Sequence, residues 1–348
     1  MQPEIHTTEG RRVTEFIERM NGAGDGPAAR DTYREAFERL RSRLDMYPVS
    51  GERASVVYES AARTATTLAA DCLPLGIAVA MHLYPICVLQ CMPLPLLSVA
   101  RFQRAILLRT IKNRSLILAN AGGERTRGVP HSLIAHHDVE GIRVDGTFEY
   151  MSLSSVADVV FFKTPLANSK FTVLCAADLH ADSVRIGGWK FSGVMRLSDT
   201  SPVTFAGHCV PHGRYVLVAD DEVLSCSADY QRCWLHLFLA DMYLARIERL
   251  HHVWGLRRSA EALMSLNELS QLRAYALRLL DDFSSGSAIE PLKKTTSAMK
   301  LRVSSMAQST MMALGDRADV SELGYLKWQP TADEIILRSI GVLPSAHE

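Results

Sequence analysis

Three stretches carry side chains whose type and spacing could do chemistry. Leu118–Arg125 (LANAGGER) sets Gly122 and Gly123 ahead of Arg125. Glycine lets backbone N–H groups come close to a ligand. The same run also reads as a solvated glycine-rich loop. Gly146–Ser152 (GTFEYMS) places the ring of Tyr150 two residues before the Ser152 hydroxyl, on what is otherwise an ordinary strand. The third stretch is Asp229-Tyr230-Gln231-Arg232, with a distant Gln329-Pro330-Thr331. An amide has no useful basicity near neutral pH, so among Gln231, Gln329 and Asp229 only the aspartate could accept a proton. No metal is expected. His136-His137 and His251-His252 have no carboxylate or thiol at ligand spacing, and Cys87 and Cys91 have only His82 nearby. The two cysteines read as buried thiols. There is no GxSxG elbow and no GxxxxGK[ST] loop.

These residues need a scaffold, and the chain is long enough for two or three domains at 348 residues. Its hydrophobic fraction of 47% and charged fraction of 22% suit a globular protein with a large core. A formal charge of zero gives no basic field for nucleic acid. The seven cysteines are scattered without a CxxC pair, and Met1–Arg30 is polar with charges throughout. Free thiols in a reducing cytoplasm, with no signal peptide, are the expectation. Cys72–Ala100 lacks charged side chains and is long enough to span a bilayer. It also carries Pro74, Pro85, Pro93, Pro95, His82 and Gln90, so two buried helices joined by a proline-rich corner are expected instead of a membrane span.

Helical periodicity marks Asp31–Asp45, Ser55–Leu68, Leu73–Val88 and Ser98–Thr110. Short β-rich runs follow at Ser115–Ala119, His131–His136, Gly141–Asp145, Val156–Phe162, Phe171–Ala176 and Tyr215–Ala219. With no helix between them they predict an antiparallel barrel or sandwich. Helices return at Trp234–Trp254, Leu263–Phe283, Pro291–Leu314 and Thr331–Val342, which predicts a bundle. The reading is an α+β chain: a helical domain at 1–112, a central antiparallel β-domain at 113–225 and a C-terminal four-helix bundle at 226–348. Trp234, Leu237, Phe238, Met242, Tyr243 and Ile247 put apolar groups on more than one helix face. That suggests a homodimer or homotetramer joined through the C-terminal block.

The order of these parts, with four local motifs, resembles the acyl-CoA dehydrogenase superfamily of flavoproteins. Gly146–Ser152 followed by Ala157-Asp158 is similar to the family's Gly-x-Lys-x-Trp-Ile-Thr/Ser segment. Leu118–Arg125 falls at its Leu-Thr-Glu-Pro-Gly-x-Gly-Ser loop. Trp189, Gly193–Ser198, Ser201, Val203, Phe205 and Val210-Pro211 resemble its Trp…Gly-Met-Arg-x-Thr/Ser-x-Ser…Val-x-Phe…Val-Pro run. Trp328–Ala332 falls where many members have Tyr-Glu-Gly-Thr-Ala.

The resemblance implies FAD. Tyr150 and Ser152 would lie by the isoalloxazine, the backbone of Leu118, Ala119 and Gly122 by its pyrimidine edge, and Arg125 by the pyrophosphate. Ser201 would approach the flavin of a neighbouring subunit, and Thr331 the adenine side. Gln329 takes the place of the usual catalytic Glu. Gln231 falls where one branch of the family keeps that Glu instead, with Asp229 as a nearby substitute. Ala119 and Arg125 depart from the family's Thr and Ser, and its Arg-x-x-Phe-Gly segment has no clean counterpart; Gly255 with Arg257 and Arg258 is the nearest approach. Three functions are consistent with this. One is a flavin oxidoreductase that desaturates an acyl thioester, on CoA or a carrier protein, with Asp229 as base. The second is a flavin-dependent monooxygenase served by a separate flavin reductase. The third is a non-catalytic member that binds a ligand or partner.

Overall fold

The computed structural model describes residues 8–23, 28–50, 53–94, 97–121, 133–191, 193–219, 222–253, 255, 260–283 and 288–314. Five helices come first: α1 (Thr8–Gly22), α2 (Ala28–Arg41), α3 (Ala54–Asp71), α4 (Leu73–Cys91) and α5 (Val99–Asn113). Helix α1 was not expected from so polar a stretch. Val13, Phe16, Ile17 and Met20 recur at helical spacing and are buried, and that stripe is enough to fix it.

Helix α4 passes through the centre of the fold and most of it is buried. It is long and apolar enough to cross a bilayer, but its surface is taken up by protein. Pro74 lies in its first turn, where no amide donor is needed. Pro85 lies inside the helix, which continues past it with one backbone bond fewer. Helices α3 and α4 approach closely at Gly76, where an added Cβ would sit 2.5 Å from the Cβ of Ala69.

Eight strands follow: β1 (Leu118–Asn120), β2 (Ile134–Asp138), β3 (Gly141–Met151), β4 (Val159–Pro165), β5 (Phe171–Asp178), β6 (Val184–Ile186), β7 (Ser201–Pro211) and β8 (Tyr215–Ala219). A short 3-10 helix, Gly193–Ser198, precedes β7. The strands form two four-stranded sheets, ordered β1-β4-β5-β8 and β2-β3-β7-β6. Phe148 of β3, Phe162 of β4 and Phe205 of β7 pack between the sheets, with ring centroids 5.3 and 5.5 Å apart. This is a sandwich. It is not wholly antiparallel, because β1 pairs with β4 in parallel. β1 enters from α5 and runs alongside β4 in the same direction. Alternation of residue types cannot distinguish that pairing from an antiparallel one.

The remaining helices are α6 (Glu222–Val253), α7 (Ala260–Asp281) and α8 (Ile289–Leu314). The last predicted helix, Thr331–Val342, lies outside the described residues. Trp234, Leu237, Phe238, Met242, Tyr243 and Ile247 of α6 are all buried within the chain itself. Trp234 and Phe238 meet Tyr58 of α3 at centroid distances of 5.9 and 5.0 Å. The many-sided apolarity of α6 therefore reflects packing against the first helices of the same chain. Polar contacts tie the same elements together. The Asp281 carboxylate on α7 accepts the Ser55 amide and hydroxyl at 2.8 and 2.7 Å, capping the start of α3. At the other end of α3, Arg249 pairs with Asp71 at 2.8 Å.

Candidate active site

The two motifs predicted to face a flavin are brought together where the sheets converge. Ala121, just past β1, bridges Met151, the last residue of β3. The Ala121 amide is also held by the Phe161 carbonyl at 3.1 Å. Leu118–Ala121 and Tyr150–Ser152 thus form one seam, although they belong to different sheets.

Helix α4 backs this seam through three side chains. The Asn120 Nδ2 donates to the Tyr84 hydroxyl at 2.6 Å and lies 3.9 Å from the Met81 sulfur. Because Asn120 donates to the phenol oxygen, the Tyr84 proton is left to point at another acceptor. Burial pushes the Tyr84 phenol well above its ordinary pKa, so it keeps that proton. Two residues earlier on α4, His82 is fully buried. Its Nδ1 accepts the Leu118 amide at 3.0 Å and its Nε2 lies 2.8 Å from the Met46 carbonyl. A carbonyl needs a donor and an amide needs an acceptor, so the ring is the neutral Nε2–H tautomer. Burial lowers its pKa to about 4. His82 therefore supplies the acceptor that the edge amide of β1 would otherwise lack. Sequence reading considered His82 as a neighbour of two cysteines and as a polar residue against a membrane span, and it passed over Tyr84. Asn120 stood in the quoted motif without a role.

The other predicted residues are placed as follows. The side chains of Leu118 and Ala119 are buried in β1. Tyr150 is partly buried and stacks on Phe191 at 6.2 Å, with the Lys190 ammonium 5.8 Å from its ring. Ser152 is partly buried in the turn that leaves β3. Ser201 is fully buried, its hydroxyl held by Arg30 at 2.8 Å and Ser154 at 2.9 Å. On α6, Asp229 pairs with Lys293 of α8 at 2.9 Å and with Arg232 at 3.4 Å. Gln231 is two residues further on, and its Nε2 is shut off from solvent with no acceptor among the described residues. Such a donor is normally satisfied, so it marks a place where a ligand could supply an acceptor. Gly122, Arg125, Gln329 and Thr331 lie outside the described residues. Among the described residues no group of three His, Cys, Asp or Glu side chains could hold a metal.

No protein-family model and no curated protein sequence matches this chain. Solved structures do. FMN-bound TdsC from Paenibacillus sp. A11-2, a dibenzothiophene monooxygenase, superposes with a TM-score of 0.65 at 17% identity over 95% of this chain and 91% of that one. The FAD complex of PigA gives 0.62 at 14% identity over 98% and 100%. Methanesulfinate monooxygenase MsuC from Pseudomonas fluorescens gives 0.63 at 14% identity over 93% and 90%. At these identities the likeness establishes the fold. That fold is shared with FMN-bound TdsC, with the FAD complex of PigA and with MsuC.

Proposed function

We propose that the chain is a flavin-dependent monooxygenase. The observation that carries this reading is the chemistry of the seam between β1 and β3. Among the described residues, the side chains that meet there are the neutral Asn120, Tyr84 and Ser152, with the Lys190 ammonium beside the Tyr150 ring. The one carboxylate considered as a base, Asp229, is neutralised by Lys293 and Arg232. Desaturating a thioester requires a carboxylate or similar base free to remove an α-proton. Activating oxygen at a reduced flavin instead calls for neutral hydrogen-bond donors in a dry pocket.

The residues present suit a flavin. The Ser152 hydroxyl and the Asn120–Tyr84 pair would orient the isoalloxazine and its reacting edge. The unpaired Gln231 amide would donate to a ring or substrate acceptor. FAD is the form implied by the family resemblance. The FMN named in TdsC shares the same isoalloxazine, and the lack of a clean counterpart to the family's Arg-x-x-Phe-Gly segment favours the smaller cofactor. When bound in reduced form the flavin supplies two electrons to O₂, one oxygen atom entering the substrate and the other leaving as water. A separate reductase would deliver that reduced flavin. An acyl thioester on CoA or a carrier protein is the substrate of the dehydrogenase alternative.

The test is substitution of the neutral donors. Asn120→Ala and Tyr84→Phe, supplied with reduced flavin, should retain flavin uptake but lose roughly 10²-fold in substrate oxygenation. Unchanged oxygenation in both variants would overturn this assignment of the site.

A further inference from the structure

Ser152 sits at the mouth of a tight turn, and the groups that fix this turn converge on one carboxylate. Leu153 and Asp199 both adopt the left-handed conformation, at φ 59° and 50°. Non-glycine residues occupy that region only when their surroundings hold them there. The Leu153 amide donates to the Ser198 carbonyl at 3.4 Å and the Ser154 amide to the Asp199 carbonyl at 2.9 Å. The Asp199 side chain is fully buried. One of its oxygens accepts the hydroxyls of Ser154 and Ser155 at 2.9 and 2.7 Å and the Trp189 indole N–H at 2.7 Å. The other accepts the Ser155 amide at 2.6 Å. Two cations from α2 brace this arrangement without touching the carboxylate. Arg30 lies 5.7 Å from the Trp189 ring centroid, and Arg34 donates to the Ser155 carbonyl at 3.1 Å.

A buried carboxylate is costly unless its oxygens are satisfied, and here four donors converge on it. Three of those donors belong to Ser154 and Ser155, the residues that follow Ser152 by two and three positions. We infer that Asp199 is a positioning residue for the flavin site. Its side chain and main chain clamp Leu153–Ser155, so that Ser152 leaves β3 in a fixed direction beside the Asn120–Ala121 end of β1. The inference rests on the flavin reading for what Ser152 faces, but the clamp is a property of the fold alone.

Asp199→Asn tests it, because no amide orientation accepts from both the Ser155 amide and the Trp189 indole. Two readouts are needed: amide hydrogen exchange over residues 152–157, and flavin titration of wild type and variant. Exchange in this turn should accelerate about tenfold or more, the scale of one charge-assisted hydrogen bond, while exchange in β4 and β5 stays unchanged. Flavin should bind about tenfold more weakly, with an altered absorption band. Ser155→Ala, which removes one hydroxyl donor, should shift both readouts in the same direction by less, and it decides the matter if the Asn variant does not fold. Unchanged exchange in the turn overturns the clamp. Faster exchange with unchanged flavin binding overturns the link to the site. A wild-type protein that takes up no flavin overturns the functional reading and the inference with it.

Discussion

At the scale of single residues, the groups that hold the seam differ from the groups once expected to react on it. Asp229 is of the second kind, but its carboxylate is paired with Lys293 and Arg232. Asp229→Asn should therefore change oxygenation by no more than about twofold, whereas removal of a general base costs about 10²–10⁴-fold. Steady-state rates of the two proteins decide between these outcomes. His82 makes a second prediction. Its folded pKa of about 4 lies below the ordinary 6.5. The unfolded chain therefore binds the extra proton first as pH falls. The stability due to the neutral ring is complete above about pH 6.5 and is lost progressively toward pH 4, a change of about 3 kcal/mol. Urea midpoints across this range should fall steeply in wild type and less steeply in His82→Gln. The sequence showed the polar residues of this seam but not their pairing. Asn120 and Tyr84 are 36 positions apart, and nothing in their spacing implies a 2.6 Å contact. Ser201 was legible as part of a motif, but the partners that enclose it, Arg30 and Ser154, come from elements distant in sequence.

At the scale of elements, close packing fixes how α4 presents its site residues to β1. Gly76 is the tightest point, with Ala69 of α3 already where a Cβ would go. The atoms it would meet are the Cβ, Cα and N of Ala69, so none can swing away. Gly76→Ala should destabilise the fold by about 1–3 kcal/mol despite its gain in helix propensity. Equilibrium urea unfolding measures this, and a variant as stable as wild type would show that the two helices slide apart freely. Most helices were legible from periodicity, since the inward faces of α2 and α3 are apolar stripes. α1 was missed because its four buried apolar residues are spread among charges. The β-domain was harder to read. β7 was seen only as a motif and β6 not at all, while β3 continues to Met151, past the predicted end at Asp145. A register irregularity between Phe148 and Met151 turns both inward and breaks the alternation that marks a strand.

At the scale of the whole molecule, the first and last helices form one packed body around α3 and α6. The surface left open on the C-terminal helices includes Leu263 and Met264 of α7 and Leu301 of α8. We propose that a homodimer or homotetramer uses this outer face, now that the α6 residues are accounted for within the chain. Charged substitutions at Leu263 and Leu301 should reduce the mass seen by light scattering to that of a monomer; no change in mass would place any interface elsewhere. The helix–strand–helix order was readable because it depends on composition over long windows. The division of labour at the site was not, because dehydrogenase and monooxygenase differ by a few groups on one scaffold. The purified, flavin-loaded protein can be followed under two conditions. With a reductase, a reduced nicotinamide donor and a panel of small heteroatom or aromatic substrates, the account predicts oxygen consumption coupled to an oxygenated product. Under anaerobic conditions with acyl-CoAs, it predicts a flavin spectrum that stays oxidised. Rapid anaerobic bleaching by an acyl-CoA, without oxygenated product in the first condition, would contradict it.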